Sequence, residues 1–274
     1  MKKNKQPLKN LTPISKTKYP IILVHGIAIK DFGLFKSFGK IDRYLIKEGF
    51  KVYKSKADGF GTIENNALFL KKEILKILEE NNVEKINIIA HSKGGLDAKY
   101  MIEYLDMSKN VASLTTLCTP HKGSPIATHI LNKPRWLLKF LAFWINLWYR
   151  ILGDKKPDAY RVCKQLATID SVEDETMKIT SEIYCQSYST TLKRSRDDFI
   201  MGIPLKFYHR YEKGTASDGL VGRESTQFGE YKGEAFEESM SHSEIIDFMA
   251  SKKKKEKIYA FYTMICEDLK ERGF

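Results

Sequence analysis

The chain is poor in cysteine, and its four cysteines form no short spacing. Cys118, Cys163, Cys185 and Cys266 lie far apart, so the 274 residues contain neither a CxxC pair nor a zinc-ligand pattern. Cysteine-based zinc modules are therefore excluded as a class, and no disulfide pairing is indicated by the spacing. Cys118 lies in an apolar run and is interpreted as a small core residue.

Apolar runs of membrane-spanning or leader length are also missing. No apolar segment follows Met1-Lys2-Lys3, so no signal peptide is visible. The most apolar stretch, from Trp136 to Leu152, is shorter than the about 20 residues of a membrane span. We therefore expect the chain as written to be cytoplasmic or peripheral to a membrane, or secreted if a leader was removed.

Acidic residues are outnumbered by basic ones. The 46 Lys and Arg against 34 Asp and Glu give a formal net charge of +12, which suits nucleic acid, an anionic membrane surface or simple solubility. Because no zinc-finger, helix-turn-helix or RNA-binding signature is present, we predict no nucleic-acid partner. With 42% hydrophobic residues, the length suits one large domain with insertions or two small domains.

The most informative stretch is an apolar strand that leads at once into a serine turn and a helix. Residues 86–90 are apolar except for Asn87, the sequence Ala-His-Ser-Lys-Gly-Gly occupies 90–95, and residues 96–105 have helical character. A nucleophile elbow needs a serine in a strained turn, with small residues two positions before and after it. Ala90 and Gly94 meet this need. We interpret Ser92 as a nucleophile; the alternative is an ordinary strand-to-helix turn with an incidental serine.

A second loop complements this serine. The strand from Pro20 to Val24 ends in His25-Gly26, and the glycine allows the backbone to aim the next N–H inward. We predict that the backbone N–H groups of Ile27 and Lys93 form an oxyanion hole. His25 is interpreted as a structural residue that fixes the loop, in preference to a catalytic one.

Strands and helices alternate along the first half of the chain. We predict strands at 20–24, 51–56, 86–90, 113–118 and 207–211, and helices at 34–49, 63–80, 96–105, 135–152 and 257–271. This alternation implies right-handed crossovers and a mostly parallel central sheet flanked by helices. The fold class is therefore α/β.

The motifs together resemble one family. The His-Gly loop at 25–26, the serine motif at 90–95 and Thr-Pro-His-Lys-Gly-Ser at 119–124 are similar to those of the bacterial triacylglycerol lipases of the α/β-hydrolase fold. That family includes small Bacillus lipases, which also place Ala before His-Ser, and the Pseudomonas and Burkholderia type. Ser-Asp-Gly-Leu-Val at 217–221 resembles its acid motif, and Ser-His-Ser-Glu at 241–244 resembles its catalytic-histidine loop.

The resemblance implies a catalytic triad of Ser92, Asp218 and His242, in the chain order of the α/β-hydrolases. In that triad His242 would accept the serine proton, and Asp218 would orient the imidazole and stabilise its charged form. Asp218 precedes a glycine in a loop after the predicted strand at 207–211. Without the resemblance it could equally be an Asp-Gly turn residue.

Rival residues exist for both the acid and the base. His91, beside the nucleophile, is interpreted as structural packing behind the elbow. The rival acids are Asp170 and Glu224, and the rival histidines are His121, His129 and His209. We prefer His242 because the first two of those histidines precede any plausible acid and the third falls in a predicted strand.

Residues 125–200 are too long for a simple loop in a compact domain. Within them, the stretch from Trp136 to Leu152 holds all three tryptophans, and Arg135, Lys139, Asn146 and Arg150 form one polar stripe on a helical period. We predict a lid whose apolar face covers Ser92 and turns toward a lipid–water interface or membrane surface when open. The alternatives are a core helix of a cap and a dimer contact.

The resemblance also raises a structural calcium near the catalytic histidine, held by Asp residues. Here the position two after the histidine is Glu244, Asp247 is nearby, and no ligand from the first half of the chain is identifiable. The family's cysteine pair has no clear match either. We therefore predict no cofactor and no metal ligands, with calcium unsupported by matching residues.

These observations lead to one prediction for organisation and one for function. We predict a basic tail at 1–19 and an α/β-hydrolase domain at 20–274, with a lid or cap insertion at about 125–200. The function is predicted as a serine ester hydrolase, a triacylglycerol lipase that forms an acyl-enzyme on Ser92. The alternatives are a carboxylesterase, phospholipase or thioesterase acting on another acyl substrate, or a catalytically inactive, membrane-associated protein of the same fold.

Overall fold

One parallel sheet organises the molecule. The structure, a computed structural model, describes residues 15–28, 31, 36–167, 179 and 182–274. Within these residues six strands form a sheet in the order β2-β1-β3-β4-β5-β6, and each neighbouring pair is parallel. The strands are β1 (Ile21–Val24), β2 (Val52–Lys54), β3 (Ile86–His91), β4 (Val111–Leu117), β5 (Tyr184–Ser189) and β6 (Glu230–Glu234).

Helices cover both faces of this sheet. Their bounds are α1 (Ile41–Lys47), α2 (Ile63–Asn81), α3 (Lys93–Tyr104), α4 (Pro125–Leu131), α5 (Arg135–Ile151), α6 (Ala159–Ala167), α7 (Gly202–Tyr211) and α8 (Lys252–Glu271). Successive side chains of a strand point to opposite faces, so Ile21 and Leu23 pack with α1 and α8. The alternate residues Ile22 and Val24 pack with α2 and α3. The predicted α/β fold is thereby confirmed.

Two sequence-based element assignments need correction. The predicted strand at 207–211 is wrong, because these residues form the end of α7 and the side chains of Leu205 and Tyr208 are buried at helical spacing. His209 therefore lies exposed on a helix rather than in a strand. The predicted helix at 34–49 is shorter, since Phe38 (φ 59°) and Gly39 (φ 47°) form a left-handed turn before α1.

The predicted insertion contains a strand of the central sheet. β5 pairs with β4 and β6 and therefore belongs to the central sheet. The rest of the insertion that the structure describes consists mainly of α4, α5 and α6, which we call the helical insertion. Residues 1–14, Asp170 and most of residues 168–181 lie outside the described residues. At the N-terminus, Lys16 N–H donates to the carbonyl of Gly49 and Lys18 N–H donates to that of Phe274.

The described helices do not include a membrane span. Over those residues, none of them combines the length and the hydrophobicity that crossing a bilayer requires.

Candidate active site

Ser92 lies on a strained turn between β3 and α3. Its φ of 55° and ψ of −134° place a non-glycine residue in a disfavoured region, which costs about 1–3 kcal/mol. Two hydrogen bonds hold the turn: Ser92 N–H donates to the carbonyl of Leu117, and Thr119 Oγ1 donates to the carbonyl of Ser92, both at 2.9 Å. The end of β4 therefore fixes the serine.

Small residues around the turn are a steric requirement. A Cβ atom on Gly26 would lie 2.6 Å from Ser92 Cβ, and one on Gly94 would lie 2.5 Å from the carbonyl oxygen of His25. Ala90, in the position two before the serine, is fully buried in β3. The backbones of the β1 and β3 loops thus approach closely, and the close approach leaves the serine hydroxyl on the cavity side.

Three side chains form a continuous hydrogen-bonded chain. His242 Nε2 lies 2.9 Å from Ser92 Oγ, and His242 Nδ1 lies 2.6 Å from Asp218 Oδ2. Asp218 and His242 are buried. The other carboxylate oxygen of Asp218 accepts N–H bonds from Leu220 (2.9 Å) and Val221 (2.8 Å). This arrangement can move a proton from the serine to an imidazole whose orientation is fixed.

The loop that carries Asp218 follows a helix. The predicted strand before it is α7, as described above, and the loop instead docks beside the carboxyl end of β5. There Leu192 N–H donates to the carbonyl of Ser217 (2.9 Å), and His242 N–H donates to the carbonyl of Asp218 (2.9 Å). Asp218 therefore lies at the carboxyl edge of the sheet, which is the edge where open α/β sheets bind their ligands.

Of the remaining histidines near the elbow, His25 and His91 are buried and His121 is half-buried. His91 Nε2 lies 2.9 Å from the carbonyl oxygen of His242, and the two rings are 4.5 Å apart. Burial lowers the pKa of His91 well below its usual range, and burial also lowers the pKa of His25. Burial lowers the pKa of His121 to about 3. Neutral rings of this kind suit packing and loop support.

The other rivals lie away from the serine. His129 Nε2 is 2.7 Å from the hydroxyl of Tyr211. Glu224 lies exposed in a short 3-10 helix, and Asp170 is outside the described residues. Within the described residues, Asp218 and His242 are thus the acid and the base that the fold brings to Ser92.

The residues predicted for the oxyanion hole flank the serine on two sides. Lys93 opens α3 directly after Ser92, and Ile27 lines the same cavity as Ser92. Ala28, which follows with a φ of 63°, donates its N–H to the carbonyl of Gly59 (3.2 Å). Its own carbonyl accepts a hydrogen bond from Tyr149 Oη of α5 at 2.9 Å.

A buried ion pair supports the elbow helix. Lys93 Nζ lies 2.6 Å from Asp97 Oδ1, and both side chains are almost fully buried. Asn66 Nδ2 donates to Asp97 Oδ2 (3.1 Å) and to the carbonyl of Asp58 (2.9 Å). Burial raises the pKa of Asp97 to about 6, even though the Lys93 ammonium opposes this shift. Sequence reasoning missed this pair, although the i, i+4 spacing was a signal for it.

Cys118 was also missed as a neighbour of the site. Its φ is 52°, and its thiol lies 3.3 Å from Thr190 Oγ1, with ligand atoms of Asp218 and His242 within 4.8 Å. Burial, followed by the Asp218 charge, raises the pKa of this thiol well above its usual range. These three residues could in principle hold a metal ion, but the acid and the imidazole are already joined by a hydrogen bond. All four cysteines, each within the described ranges, are free.

An apolar cavity opens onto Ser92. Its volume is about 630 Å³, and Ser92 and His242 form part of its wall. The apolar wall comes mainly from α4, α5 and α6, including Ile126, Ile130, Leu138, Leu141, Val162 and Leu166. The cavity can hold an extended hydrocarbon chain beside the hydroxyl.

Sequence similarity to known proteins assigns the chain to a family. The model of the family described as "Putative serine esterase (DUF676)" matches residues 15–156, just over half of the chain. The chain belongs to this family. The "Triacylglycerol lipase 2" of Saccharomyces cerevisiae is 28% identical over 258 residues, which cover 85% of this chain and 73% of the yeast protein. Bacterial triacylglycerol lipases also match, but the chain spans only 33% to 39% of their lengths.

Solved structures share the fold of this serine esterase family member. The Staphylococcus hyicus lipase superposes with a TM-score of 0.66 at 16% identity, over 94% of this chain and 96% of that chain. A metagenomic carboxyl esterase superposes with a TM-score of 0.70 at 16% identity, over 94% and 77%. The resemblance inferred from the motifs is therefore confirmed, and the chain is a serine ester hydrolase with the α/β-hydrolase fold.

Proposed function

We propose that this serine ester hydrolase is a triacylglycerol lipase that cleaves long-chain acyl esters at a lipid–water interface. The observation that carries the proposal is the chain of hydrogen bonds from Ser92 through His242 to Asp218 at the wall of a large apolar cavity. A polar catalytic centre beside a hydrocarbon-sized cavity suits an ester whose acyl part is apolar.

In the proposed reaction, Ser92 Oγ attacks the ester carbonyl carbon while its proton passes to His242 Nε2. The negative charge on the carbonyl oxygen is stabilised by the N–H groups of Ile27 and Lys93. The bond to the alcohol oxygen then breaks, and His242 returns the proton to that oxygen. A water molecule repeats the sequence on the acyl-enzyme and releases the carboxylic acid. Asp218 stays ionised and stabilises the charged imidazole throughout.

Helix α5 supports the proposal that the enzyme takes its substrate from a lipid phase. Its side toward the cavity carries Leu138, Leu141 and Ala142. A second apolar side is exposed to solvent, where Trp136 is 71% exposed. The other large side chains on that exposed side are Phe140, Phe143, Trp144, Trp148 and Ile151. Aromatic residues beside a polar stripe favour binding in the plane of a lipid surface.

The polar stripe of α5 borders these two apolar sides along one edge of the helix only. It consists of Arg135, Lys139, Asn146 and Arg150, and Asn146 Oδ1 accepts the N–H of Ala159 from α6 (2.8 Å). The sequence had suggested one apolar face that serves both the closed and the open lid. In the structure the helix can line the cavity and present aromatics to lipid at the same time, which supports a peripheral location on a lipid surface.

Another exposed aromatic side chain lies close in sequence to a residue of the cavity wall. Met201 lines the cavity, and Phe199, two residues before it, is 95% exposed. Exposed apolar side chains near the cavity wall would favour contact of this region with a lipid surface.

Hydrolysis of p-nitrophenyl butyrate, p-nitrophenyl palmitate and a triolein emulsion tests the proposal. We expect activity on all three substrates, an increase above the solubility limit of the ester, and labelling of Ser92 by a fluorophosphonate probe. Activity on the butyrate ester alone would make the protein a carboxylesterase. Failure of the probe to label Ser92 in detergent would refute the serine hydrolase mechanism.

A further inference from the structure

The loop that carries His242 is closed by a reciprocal pair of hydrogen bonds. Glu244 N–H donates to Ser241 Oγ (3.2 Å), and Ser241 N–H donates to Glu244 Oε2 (3.0 Å). This is the geometry of a capping box. His242 lies inside the box, so the Glu244 carboxylate helps to set the backbone from which the imidazole projects.

Lys254 neutralises this carboxylate. Its Nζ lies 2.7 Å from Glu244 Oε1 and 2.6 Å from Oε2. The side chains are mostly buried, with 19% of Lys254 and 9% of Glu244 exposed. Lys254 belongs to the first turn of α8, where its N–H donates to the N-cap hydroxyl of Ser251 (3.4 Å). The ammonium is therefore held by a regular helix, and solvent screens the pair only in part.

Lys255 makes a second ion pair at the other end of the loop. Asp247 has a left-handed backbone (φ 59°), and its side chain is fully buried. Its Oδ2 accepts from Lys40 N–H (3.0 Å) and from Tyr259 Oη (2.8 Å). Its Oδ1 lies 2.8 Å from Lys255 Nζ. Two adjacent lysines thus bind the two carboxylates that bracket the turn after His242.

These contacts bear on the calcium raised by the sequence resemblance. A calcium ion needs six to eight oxygen ligands, whereas Glu244 and Asp247 each face an ammonium group at hydrogen-bond distance. The residues present therefore do not fit a calcium ion.

We propose that Lys254 and Lys255 are positioning residues that hold the histidine loop through Glu244 and Asp247, in place of a metal ion. The catalytic part of this inference rests on the proposed role of His242 as the general base. The structural part, that α8 anchors the loop by charge, stands without it.

The charge of Glu244 makes the proposal testable through pH. The imidazole of His242 directly faces Asp218, the His91 ring and the Cys118 thiol. Glu244 is two residues away, and its charge is balanced by Lys254. If the ammonium is removed, the uncompensated carboxylate will favour the protonated imidazole, which cannot act as a base.

The lysine run offers a matched control. Lys253 is adjacent to Lys254 but exposed. We expect Lys254→Gln to lower kcat roughly tenfold with little change in KM. The midpoint of the acidic limb of the kcat/KM profile should rise by about half a pH unit. The double variant Lys254→Gln, Glu244→Gln should return the midpoint to its wild-type value, and Lys253→Gln should change neither quantity. Equal behaviour of Lys254→Gln and Lys253→Gln would overturn the proposal.

Thermal unfolding tests the anchor without relying on catalysis. We expect Lys254→Gln to lower the Tm by about 3 °C and Lys254→Arg to restore most of that loss. Exhaustive treatment of the wild type with EDTA, followed by calcium, should leave the Tm unchanged. A Tm that falls with EDTA and recovers with calcium would overturn the proposal, because a metal would then hold the loop.

The two proposals fail in different ways. A wild type that shows no hydrolysis and no Ser92 labelling would refute the proposed function, while the Tm comparison would still decide the anchor. An active wild type whose Lys254→Gln variant matches Lys253→Gln in Tm and pH profile would refute the anchor alone. If Lys254→Gln does not fold, the Lys254→Arg and double variants carry the same comparison.

Discussion

The carboxyl edge of the sheet and the helical insertion of α4, α5 and α6 differ in which kind of side chain they bury. At the sheet edge, polar groups are buried and joined by short hydrogen bonds, as in the chain from Ser92 to Asp218. In the helical insertion, large apolar groups such as Trp136 and Phe140 are exposed. Buried polar groups require a fixed geometry, because a buried donor or acceptor without a hydrogen-bond partner destabilises the folded state. Exposed aromatic side chains carry no such requirement and tolerate motion. The first region therefore suits chemistry, and the second suits contact with a lipid phase.

The largest expected effect is on the nucleophile. We expect Ser92→Ala to reduce hydrolysis of p-nitrophenyl butyrate by at least about 10⁴-fold, because the variant lacks the attacking oxygen. The Tm should not fall, because the substitution removes only the hydroxyl from a tight turn. Steady-state rates and a thermal melt provide the measurements. Retention of more than a few per cent of activity would mean that another residue attacks the ester.

The second expected effect is on the acid. Asp218→Asn should lower kcat by about 10³-fold, because the neutral amide no longer stabilises a charged imidazole. The N–H bonds from Leu220 and Val221 can still be accepted by the amide oxygen, so folding should persist. Kinetics on the butyrate ester and circular dichroism test this. A loss of folding would show that the carboxylate acts mainly as a structural group.

The third expected effect is the dependence of stability on pH through Asp97. Its pKa is about 6 in the folded protein, above the value of about 3.9 expected after unfolding. The folded state therefore binds the proton more tightly, and stability falls as the pH rises from about 4 to 6, by roughly 3 kcal/mol. Above that window this contribution is constant.

The matched variant Asp97→Asn lacks this titration. The Tm difference, wild type minus variant, should therefore decrease as the pH rises from 4 to 6 and then level off. Melting curves at half-unit pH steps provide the measurement. A difference that stays constant across this window would show that the attraction of Lys93 offsets the burial of the carboxylate.

The smallest expected effect is on the exposed side of α5, and it distinguishes binding to a lipid surface from catalysis on a soluble ester. Replacement of Trp136, Phe140 and Trp144 by Ser should lower activity on a triolein emulsion about tenfold, because apolar area that binds lipid is lost. Activity on soluble butyrate should stay within twofold. The control is Ile46→Ser on α1, which is also an exposed apolar side chain. Equal losses on both substrates would refute a role specific to the interface.

The predictability of each region follows from the range of its contacts. The elbow was predictable because one serine, a small residue and a glycine satisfy a local steric rule around Ser92. The sheet was recognisable from its apolar strands β1, β3 and β4. β5 was missed because Gln186, Ser187 and Ser189 are buried polar residues with partners distant in sequence. A pattern of hydrophobicity does not report such partners.

Other parts of the site depend on contacts that no local pattern encodes. The hydrogen bond from Tyr149 to the loop of Ile27 and the pairing of Lys254 with Glu244 each join segments far apart in the chain. The segment at 207–211 was wrongly predicted as a strand, because alternation of apolar and polar residues over only five positions fits a short strand as well as the end of a helix. The geometry brings Ser92, His242 and Asp218 together, and their catalytic roles stay predictions for the variants above.

The four free thiols mean that the fold does not depend on a disulfide bond. Because no cysteine is bridged, reductants have no disulfide to break in this fold. Burial raises the pKa of Cys185 to about 12, and Cys118 and Cys266 are likewise buried and shifted upward. Thiolates react and thiols do not, so alkylating reagents should meet the partly exposed Cys163 first. Storage without reducing agent should therefore leave the three buried thiols unmodified, whereas oxidation of Cys163 would alter the wall of the cavity that opens onto Ser92.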